Sequence, residues 1–320
     1  MSLERLEKYN FDSDVLDRAA TVEDVQRSYN TDFVKYLGDH GIGLDDIRRT
    51  PDFVDIRSGD RDDKKALIVH QPIGNPLKAH RLVGVVSLAD MFPDRRIISF
   101  SNPGHIGSRH KRSSLIGVAS IAGGKTSQYL DDVEHYVIDE GIDHVDHVGE
   151  SLGGYLATEA GAKTGYNSGM VAAHDPSSTV KTTFMDMTKA FEASNARFKE
   201  YLNNGQELSA AAFEVAGDGD TFMFGLMRAT NLAFARMVRL GNYEDTAERA
   251  LRNGTDVTLF HGGDSSICLP NRVRSIVGSL QAQDFGADAG RMQGIELPGD
   301  GHSYPNDLGL MNAATAQVII

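Results

Sequence analysis

The feature that most limits the fold is a regular alternation of short apolar runs with longer segments of helical pattern. Because those segments are long enough for crossover connections, the runs are expected to pair in parallel. We therefore predict an α/β fold with a mostly parallel, doubly wound sheet covered by helices on both faces. The six strand-like runs are Ala66 to Val69, Arg96 to Phe100, His144 to Val148, Met170 to Ala173, Val257 to Phe260 and Gln293 to Leu297.

Two of the intervening helices can be placed from their apolar spacing and their stop signals. One precedes Pro93, and the other ends at Gly141. Their apolar positions are Leu82, Val83, Val86 and Leu88 in the first, and Leu130, Val133, Tyr136 and Val137 in the second.

The chain divides into an N-terminal helical extension, a core and an inserted helical cap. The extension is predicted over residues 1–50, the core over 51–176 and 254–320, and the cap over 177–253. About 80 residues separate the strand-like runs that flank the cap, which is too long for an ordinary α/β connection. We expect Phe and Met residues of the cap to line a substrate pocket, although they could equally form the cap's own core. The candidate substrate-binding residues are Phe184, Met187, Phe191 and Phe222.

Composition favours a small-molecule partner. The chain has 320 residues and a formal net charge of -13, from 32 Lys and Arg against 45 Asp and Glu. Such a charge argues against binding to nucleic acid or to an anionic membrane, which both need clustered cations. The one cysteine, Cys268, cannot form an internal disulfide, and no apolar stretch has the length of a signal peptide or a membrane span. A cytoplasmic location is the simplest expectation.

The candidate nucleophile is Ser151, in the run Gly149-Glu150-Ser151-Leu152-Gly153. An apolar strand precedes this run and a helix-compatible segment follows it, which is the setting of a nucleophile elbow. The small residues leave room for a tight turn that exposes the serine hydroxyl. The pattern therefore predicts a serine at the beginning of a helix, where the helix dipole stabilises a developing anion.

A serine nucleophile needs a base and a residue that orients the base. His302 follows the last strand-like run on a Gly-rich loop, and is the predicted base. Asp264, after Val257-Thr258-Leu259-Phe260 and two glycines, is the predicted orienting acid, and Asp175 is the competing candidate. His144 and His147 lie within the strand before the elbow and are expected to be structural.

Together these residues resemble the α/β-hydrolase superfamily over most of residues 65 to 305. The segment Ser99 to Ser108 also looks like a loop of that superfamily, and the insert is placed where its members carry a cap. The resemblance implies a serine hydrolase, cleaving an ester or thioester through an acyl-enzyme intermediate. It also implies an oxyanion hole with the backbone N–H of Leu152 as one donor. Relatives often read His-Gly-x at this point, with the amide of x as the second donor, but Pro72 has no N–H. Either Ile73 or Gln71 must then donate, or the hole is built differently, and Ile73 is the preferred candidate.

Other functions remain open at this point. Gly123-Gly124-Lys125-Thr126 resembles the end of a phosphate-binding loop, but Ala119 replaces its leading glycine. The same triad could also support carbon-carbon bond hydrolysis, perhydrolysis or lyase chemistry, and a hydrolase-like fold can bind a ligand without catalysis. The mechanism needs no cofactor, and the scattered histidines predict no metal site.

Overall fold

The computed structural model describes residues 41–49, 53–57, 62–72, 79–101, 115–190, 192–193, 229–302 and 308–319. This part of the chain contains an eight-stranded sheet in the order β1-β2-β4-β3-β5-β6-β7-β8. The strands are β1 (Ile47–Arg49), β2 (Phe53–Ile56), β3 (Asp62–His70), β4 (Arg95–Phe100), β5 (His144–Glu150), β6 (Asn167–His174), β7 (Asp256–Gly262) and β8 (Met292–Leu297).

Helices connect these strands along most of the chain. They are α1 (Ala79–Met91), α2 (Leu115–Ala122), α3 (Ser127–Asp139), α4 (Leu152–Gly161), α5 (Ala229–Met237), α6 (Tyr243–Arg252), α7 (Pro270–Gln281) and α8 (Leu308–Ala316). A 3-10 turn covers Leu44–Asp46, and residues 184–190 are helical.

The predicted mostly parallel sheet is confirmed. Each of the six predicted runs lies inside a strand, from β3 to β8, and these strands pair in parallel. β1 and β2 pair antiparallel with each other, and β2 pairs antiparallel with β4. Residues 47–49 therefore belong to the sheet, whereas the helical extension was predicted to continue to residue 50. The rest of that extension, residues 1–40, lies outside the described residues.

Two apolar cores, one on each face, hold the sheet. One face is covered by α1 and α8, with Val86, Leu88 and Leu310 almost fully buried. The other face is covered by α3 to α7, with Tyr155 and Phe234 buried at its centre. Burial on both faces explains why the central strands are continuous apolar runs with little alternation.

Part of the predicted cap packs with the core. α5 packs against α2, and α6 packs against α4. Tyr243, Ala247 and Leu251 supply the buried face of α6. These helices therefore complete the layer on one face of the sheet, although the prediction assigned them to the cap that ends at residue 253. Residues 194–228 of the insert lie outside the described part.

The carboxyl ends of the central strands meet at one edge of the sheet. In the register of β5 and β6, Glu150 pairs with His174, and in that of β6 and β7, His174 pairs with Phe260. The residues that follow these positions, including Ser151 and Asp175, are therefore neighbours at this edge.

Candidate active site

Ser151 forms the turn between β5 and α4. Its backbone has φ 53° and ψ −115°, a left-handed conformation that costs a non-glycine residue roughly 1–3 kcal/mol. The backbone N–H of Ser151 donates to the carbonyl of His174 at 2.9 Å, and its carbonyl accepts from the N–H of Ser177 at 2.9 Å. These two bonds fasten the turn to the end of the neighbouring strand and hold the strained serine in place.

The glycines around Ser151 are required by close backbone contacts. A Cβ atom at Gly149 would lie 2.3 Å from the carbonyl oxygen of Gly153. A Cβ atom at Gly153 would lie 2.1 Å from the carbonyl oxygen of His70, at the end of β3. Both distances are far below van der Waals contact. The glycine spacing of the motif thus allows α4 to pack directly onto β3 and β5.

His302 is oriented by Asp175. The Nδ1 atom of His302 lies 2.5 Å from Oδ2 of Asp175, across the carboxyl edge of the sheet. An imidazole that donates from Nδ1 to a carboxylate carries its acceptor lone pair on Nε2. The His302 ring is largely buried, with 10% of its side chain exposed, so the pair is shielded from competing water.

The carboxylate of Asp175 is fully buried and surrounded by donors. Its Oδ1 accepts the backbone N–H of Gly262 at 3.0 Å, and its Oδ2 also accepts the hydroxyl of Ser265 at 2.7 Å. Asp175 itself has φ 44° and donates its backbone N–H to Phe260 at 2.7 Å. These bonds compensate the removal of the carboxylate from water. They also fix its direction toward His302.

The structure pairs Nδ1 of His302 with Asp175, whereas Asp264 was predicted from sequence as the orienting acid. Asp264 is exposed, and its backbone N–H donates to the carbonyl of Asp300 at 2.8 Å. The turn after β7 directs Ser265 inward, where its hydroxyl contacts Asp175. The last residue of β7 and the turn after it therefore each supply one donor to Asp175, which follows β6.

Of the two residues predicted to form the oxyanion hole, Leu152 lies in the described part of the chain. Leu152 is the first residue of α4 and is fully buried. The N–H groups of the first turn of a helix have no intrahelical acceptor, so this amide can serve as a donor. Pro72 and Gln71 are buried beside the end of β3, whereas Ile73 lies outside the described residues.

Two of the four predicted substrate-binding residues are described. Phe184 is 57% exposed, and its ring lies 5.9 Å from the guanidinium carbon of Arg239. Met187 is half-buried and packs against the core on the α3 to α7 side. Phe191 and Phe222 lie outside the described residues. A pocket lined by these side chains therefore stays a prediction.

The histidines of the central strands form a buried hydrogen-bonded chain. Nε2 of His70 lies 3.1 Å from Nδ1 of His147, whose Nε2 lies 3.3 Å from Ser168 Oγ. Nδ1 of His70 lies 3.0 Å from the hydroxyl oxygen of Tyr129. Burial lowers the pKa of His70 to about 3 and that of His147 well below its usual value. Both rings are therefore neutral and structural at neutral pH, as predicted for His147.

His144 lies at the opposite, amino-terminal end of β5. Its Nε2 is 3.4 Å from Oδ1 of Asp146. The other oxygen of this carboxylate, Oδ2, pairs with Arg95 at 2.5 Å. His144 therefore belongs to a polar cluster at the far edge of the sheet from Ser151, in agreement with the predicted structural role.

Within the described ranges, no group of three or more His, Cys, Asp or Glu side chains could hold a metal ion. Among the helices of the same ranges, none combines the length and apolar character that a membrane crossing requires.

Comparisons with known proteins agree with this architecture. A family model described as alpha/beta hydrolase family matches residues 66–316. A hydrolase from Oleispira antarctica is 16% identical, with 81% of this chain and 89% of that chain covered and a TM-score of 0.52. A monoacylglycerol lipase from Paleococcus ferrophilus is 14% identical, with 83% and 97% covered and a TM-score of 0.51. No curated protein sequence matches the chain.

At these identities the solved structures show a shared fold only. An α/β hydrolase enzyme from a Medee basin deep-sea metagenome library, at 11% identity and a TM-score of 0.53, covers 84% of this chain and 94% of its own. The family model is the stronger finding because it extends from β3 to the end of α8. On that match, the chain belongs to the alpha/beta hydrolase family.

Proposed function

We propose that the chain is a serine hydrolase that cleaves a small-molecule ester or thioester through an acyl-enzyme intermediate. Ser151 is the nucleophile, His302 the general base and Asp175 the residue that orients the base. This proposal keeps the serine and histidine predicted from sequence and replaces Asp264 by Asp175.

The observation that carries the proposal is the hydrogen bond between His302 and Asp175, at 2.5 Å, at the sheet edge where Ser151 forms its strained turn. A histidine held by a buried carboxylate has a fixed tautomer and orientation, and its imidazolium form is stabilised when it takes a proton. A structural histidine on a surface loop needs neither property.

The chemistry follows from these positions. The Ser151 oxygen attacks the carbonyl carbon of the substrate, while its proton moves to Nε2 of His302. The N–H of Leu152 stabilises the negative carbonyl oxygen of the tetrahedral intermediate. The bond to the alcohol or thiol then breaks, and His302 returns its proton to that leaving group. A water molecule attacks the acyl-enzyme in the same way, which releases the carboxylic acid and restores Ser151.

Labelling with a fluorophosphonate tests the nucleophile. We expect intact-protein mass spectrometry to find one adduct on the wild type and none on Ser151→Ala. Ser177→Ala is the matched control, because this buried serine lies next to the elbow but its hydroxyl has no hydrogen-bond partner among the described residues. It should keep the label.

Turnover is measured with p-nitrophenyl esters of graded acyl length and with matched thioesters. Hydrolysis should fall by roughly three decades or more in Ser151→Ala. Equal labelling of Ser151→Ala and the wild type would refute the nucleophile, and labelling without hydrolysis of any ester or thioester would refute the proposed reaction.

A further inference from the structure

We infer that a cationic cavity, formed where the polypeptide leaves and re-enters the core around the insert, binds the phosphate group of a small molecule. The cavity has a volume of about 410 Å³ and is lined by Lys181, Thr182, Arg236, Arg239 and Leu240. This volume is within the range of small-molecule sites. Three of its five lining residues are cations, in a chain whose net charge is -13.

The arginines of this cavity differ from the others in their partners. Among the arginine side chains that the structure describes, all except Arg236 and Arg239 lie no more than 3.7 Å from a carboxylate oxygen. Those nine are Arg48, Arg57, Arg95, Arg96, Arg249, Arg252, Arg272, Arg274 and Arg291. Among the described residues no carboxylate pairs with these two arginines or with Lys181, and Lys181 and Arg236 are exposed, so their charge is available to an anion from solution.

The walls of the cavity are fixed by backbone contacts. The N–H of Thr182 donates to the carbonyl of Arg239 at 3.1 Å, and Nε of Arg239 donates to the carbonyl of Thr182 at 3.2 Å. Gly241 has φ +71°, and a Cβ atom there would lie 2.4 Å from the backbone nitrogen of Lys181. The two chain segments therefore meet at a defined distance, which fixes the backbone from which the cationic side chains project.

Helix electrostatics alone does not explain this cluster. A cation in the last turn of a helix is stabilised by the helix dipole, and Arg236 occupies that position in α5. The dipole is equivalent to only about half an elementary charge, so it offsets part of the mutual repulsion among Lys181, Arg236 and Arg239. A guanidinium presents paired N–H donors that match phosphate oxygens, and an ammonium adds a point charge. A phosphate group satisfies all three cations together.

The path along the chain from Ser151 to the cavity is short. The N–H of Ser177 bonds to the carbonyl of Ser151, and the four residue-to-residue steps from Ser177 to Lys181 span at most about 14 Å. The phosphate could thus be the remote group of an ester or thioester substrate, a reading that rests on the proposed function. It could also belong to a separate ligand that binds without being cleaved.

Calorimetric titration of the full chain with inorganic pyrophosphate, at constant ionic strength, tests the cavity. We expect saturable binding that weakens by roughly tenfold or more in the double variant Lys181→Gln/Arg236→Gln, because two charge-assisted contacts are lost. The control Lys64→Gln/Arg291→Gln removes the same charge from exposed positions at the amino-terminal edge of the sheet. It should change the dissociation constant by less than about twofold.

Absence of saturable binding, or equal weakening in the two double variants, would overturn the inference. Ser151→Ala should bind pyrophosphate like the wild type, so this test does not depend on hydrolysis. Two esters of equal length, one with a terminal phosphate and one without, then distinguish the sources. If the phosphate belongs to the substrate, Lys181→Gln/Arg236→Gln lowers kcat/KM for the phosphorylated ester alone. If it belongs to a separate ligand, the same variant weakens pyrophosphate binding, and both esters react as they do with the wild type.

Discussion

Asp175 combines a left-handed backbone with a fully buried carboxylate, at φ 44° and 0% exposure. Each property costs free energy, and both are tolerated because Gly262, Ser265 and His302 supply donors at 2.5 to 3.0 Å. Ser265 is the least obvious of these partners. Its Oγ donates to Asp175 and also accepts the backbone N–H of Cys268 at 3.0 Å. We regard Ser265 as a positioning residue that acts through the acid.

Replacement of Ser265 by alanine should therefore weaken catalysis without removing a reacting group. We expect Ser265→Ala to lower kcat for a p-nitrophenyl ester by roughly tenfold and to leave KM within about twofold, because a hydrogen bond to a charged group contributes about 1.5–3 kcal/mol. Stopped-flow or steady-state kinetics would measure both constants, with a thermal melt to verify folding.

The neighbouring Ser266 is the matched control. Its hydroxyl donates to the carbonyl of Ala190 at 2.9 Å, at the end of helical residues 184–190. Ser266→Ala should keep kcat within about twofold of the wild type. If the two alanine variants have the same kcat, Ser265 does not act through Asp175.

At the scale of elements, α4 is the support of the site. Its Tyr155 hydroxyl donates to Glu159 at 3.0 Å and accepts from Asn242 at 2.9 Å. The Oδ1 atom of Asn242 accepts the hydroxyl of Ser178 at 2.6 Å, three residues beyond the acid. This network joins α4, the segment before α6 and the loop that carries Asp175. Burial raises the pKa of Tyr155 above its usual value, so its hydroxyl stays protonated and can donate.

The contact of α4 with β3 leads to a steric prediction. Gly153→Ala should destabilise the fold by about 1–3 kcal/mol or more, because the new Cβ would be 2.1 Å from the carbonyl oxygen of His70. Urea unfolding followed by circular dichroism measures the change.

Gly278→Ala on α7 is the comparison, because no atom outside its chain neighbours and its own helix backbone lies within 4 Å of the added Cβ. Alanine has the higher helix propensity, so this variant should gain roughly 0.5–1 kcal/mol. Equal stability of the two alanine variants would show that α4 does not approach β3 as closely as described.

The parallel strands, and the places of Ser151 and His302 in the fold, could be predicted because their signals are local. Ser151 depends on glycines within four residues, and His302 depends on a loop after an apolar run. The choice between Asp175 and Asp264 is different, since both follow strands that end at the same edge. It is decided by the turn after Gly262, which directs Ser265 inward and leaves Asp264 exposed. A signal was nevertheless present, because Asp175 directly follows its strand and Asp264 does not.

The antiparallel edge was missed because its strands have only three and four residues and contain charged side chains. β2 contains Asp55, which is fully buried and pairs with Arg96 of β4 at 2.7 Å. A buried ion pair between strands removes the apolar alternation by which a strand is recognised. The placement of α5 and α6 could not be predicted for another reason. Apolar spacing shows that a helix has a buried face, but it does not show which element covers that face.

At the scale of the whole molecule, three histidines of the described strands are buried in the neutral form: His70, His147 and His174. His174 stacks on Phe260 with ring centroids 4.7 Å apart, and its Nε2 lies 2.9 Å from Thr315 Oγ1 of α8. Burial lowers the pKa of His174 to about 3, as it does for His70. The unfolded chain binds a proton at each of these positions below about pH 6.5, whereas the folded chain does not bind one until about pH 3. Stability therefore falls as the pH is lowered through this window.

Each such histidine contributes a slope of about 1.4 kcal/mol per pH unit between pH 6.5 and pH 3. The free energy of unfolding should decrease between pH 7.5 and pH 5.5 in both the wild type and His174→Gln. We expect this decrease to be about 1.4 kcal/mol smaller in His174→Gln. Urea titrations at the two pH values measure the difference.

His135→Gln is the control, since this histidine of α3 is exposed. Its pH dependence should match that of the wild type. The interpretation fails if the His174 and His135 variants have the same loss between the two pH values.

The most direct test compares Asp175→Asn with Asp264→Asn. Asparagine keeps the shape of the side chain but cannot hold the imidazole in the same tautomer, so Asp175→Asn should lower kcat for the best p-nitrophenyl ester by roughly 10³–10⁴-fold. Asp264→Asn, an isosteric change at an exposed position two residues beyond β7, should stay within about threefold of the wild type. Full activity in Asp175→Asn, or a large loss in Asp264→Asn with Asp175→Asn unaffected, would contradict the assignment of Asp175 as the acid that orients His302.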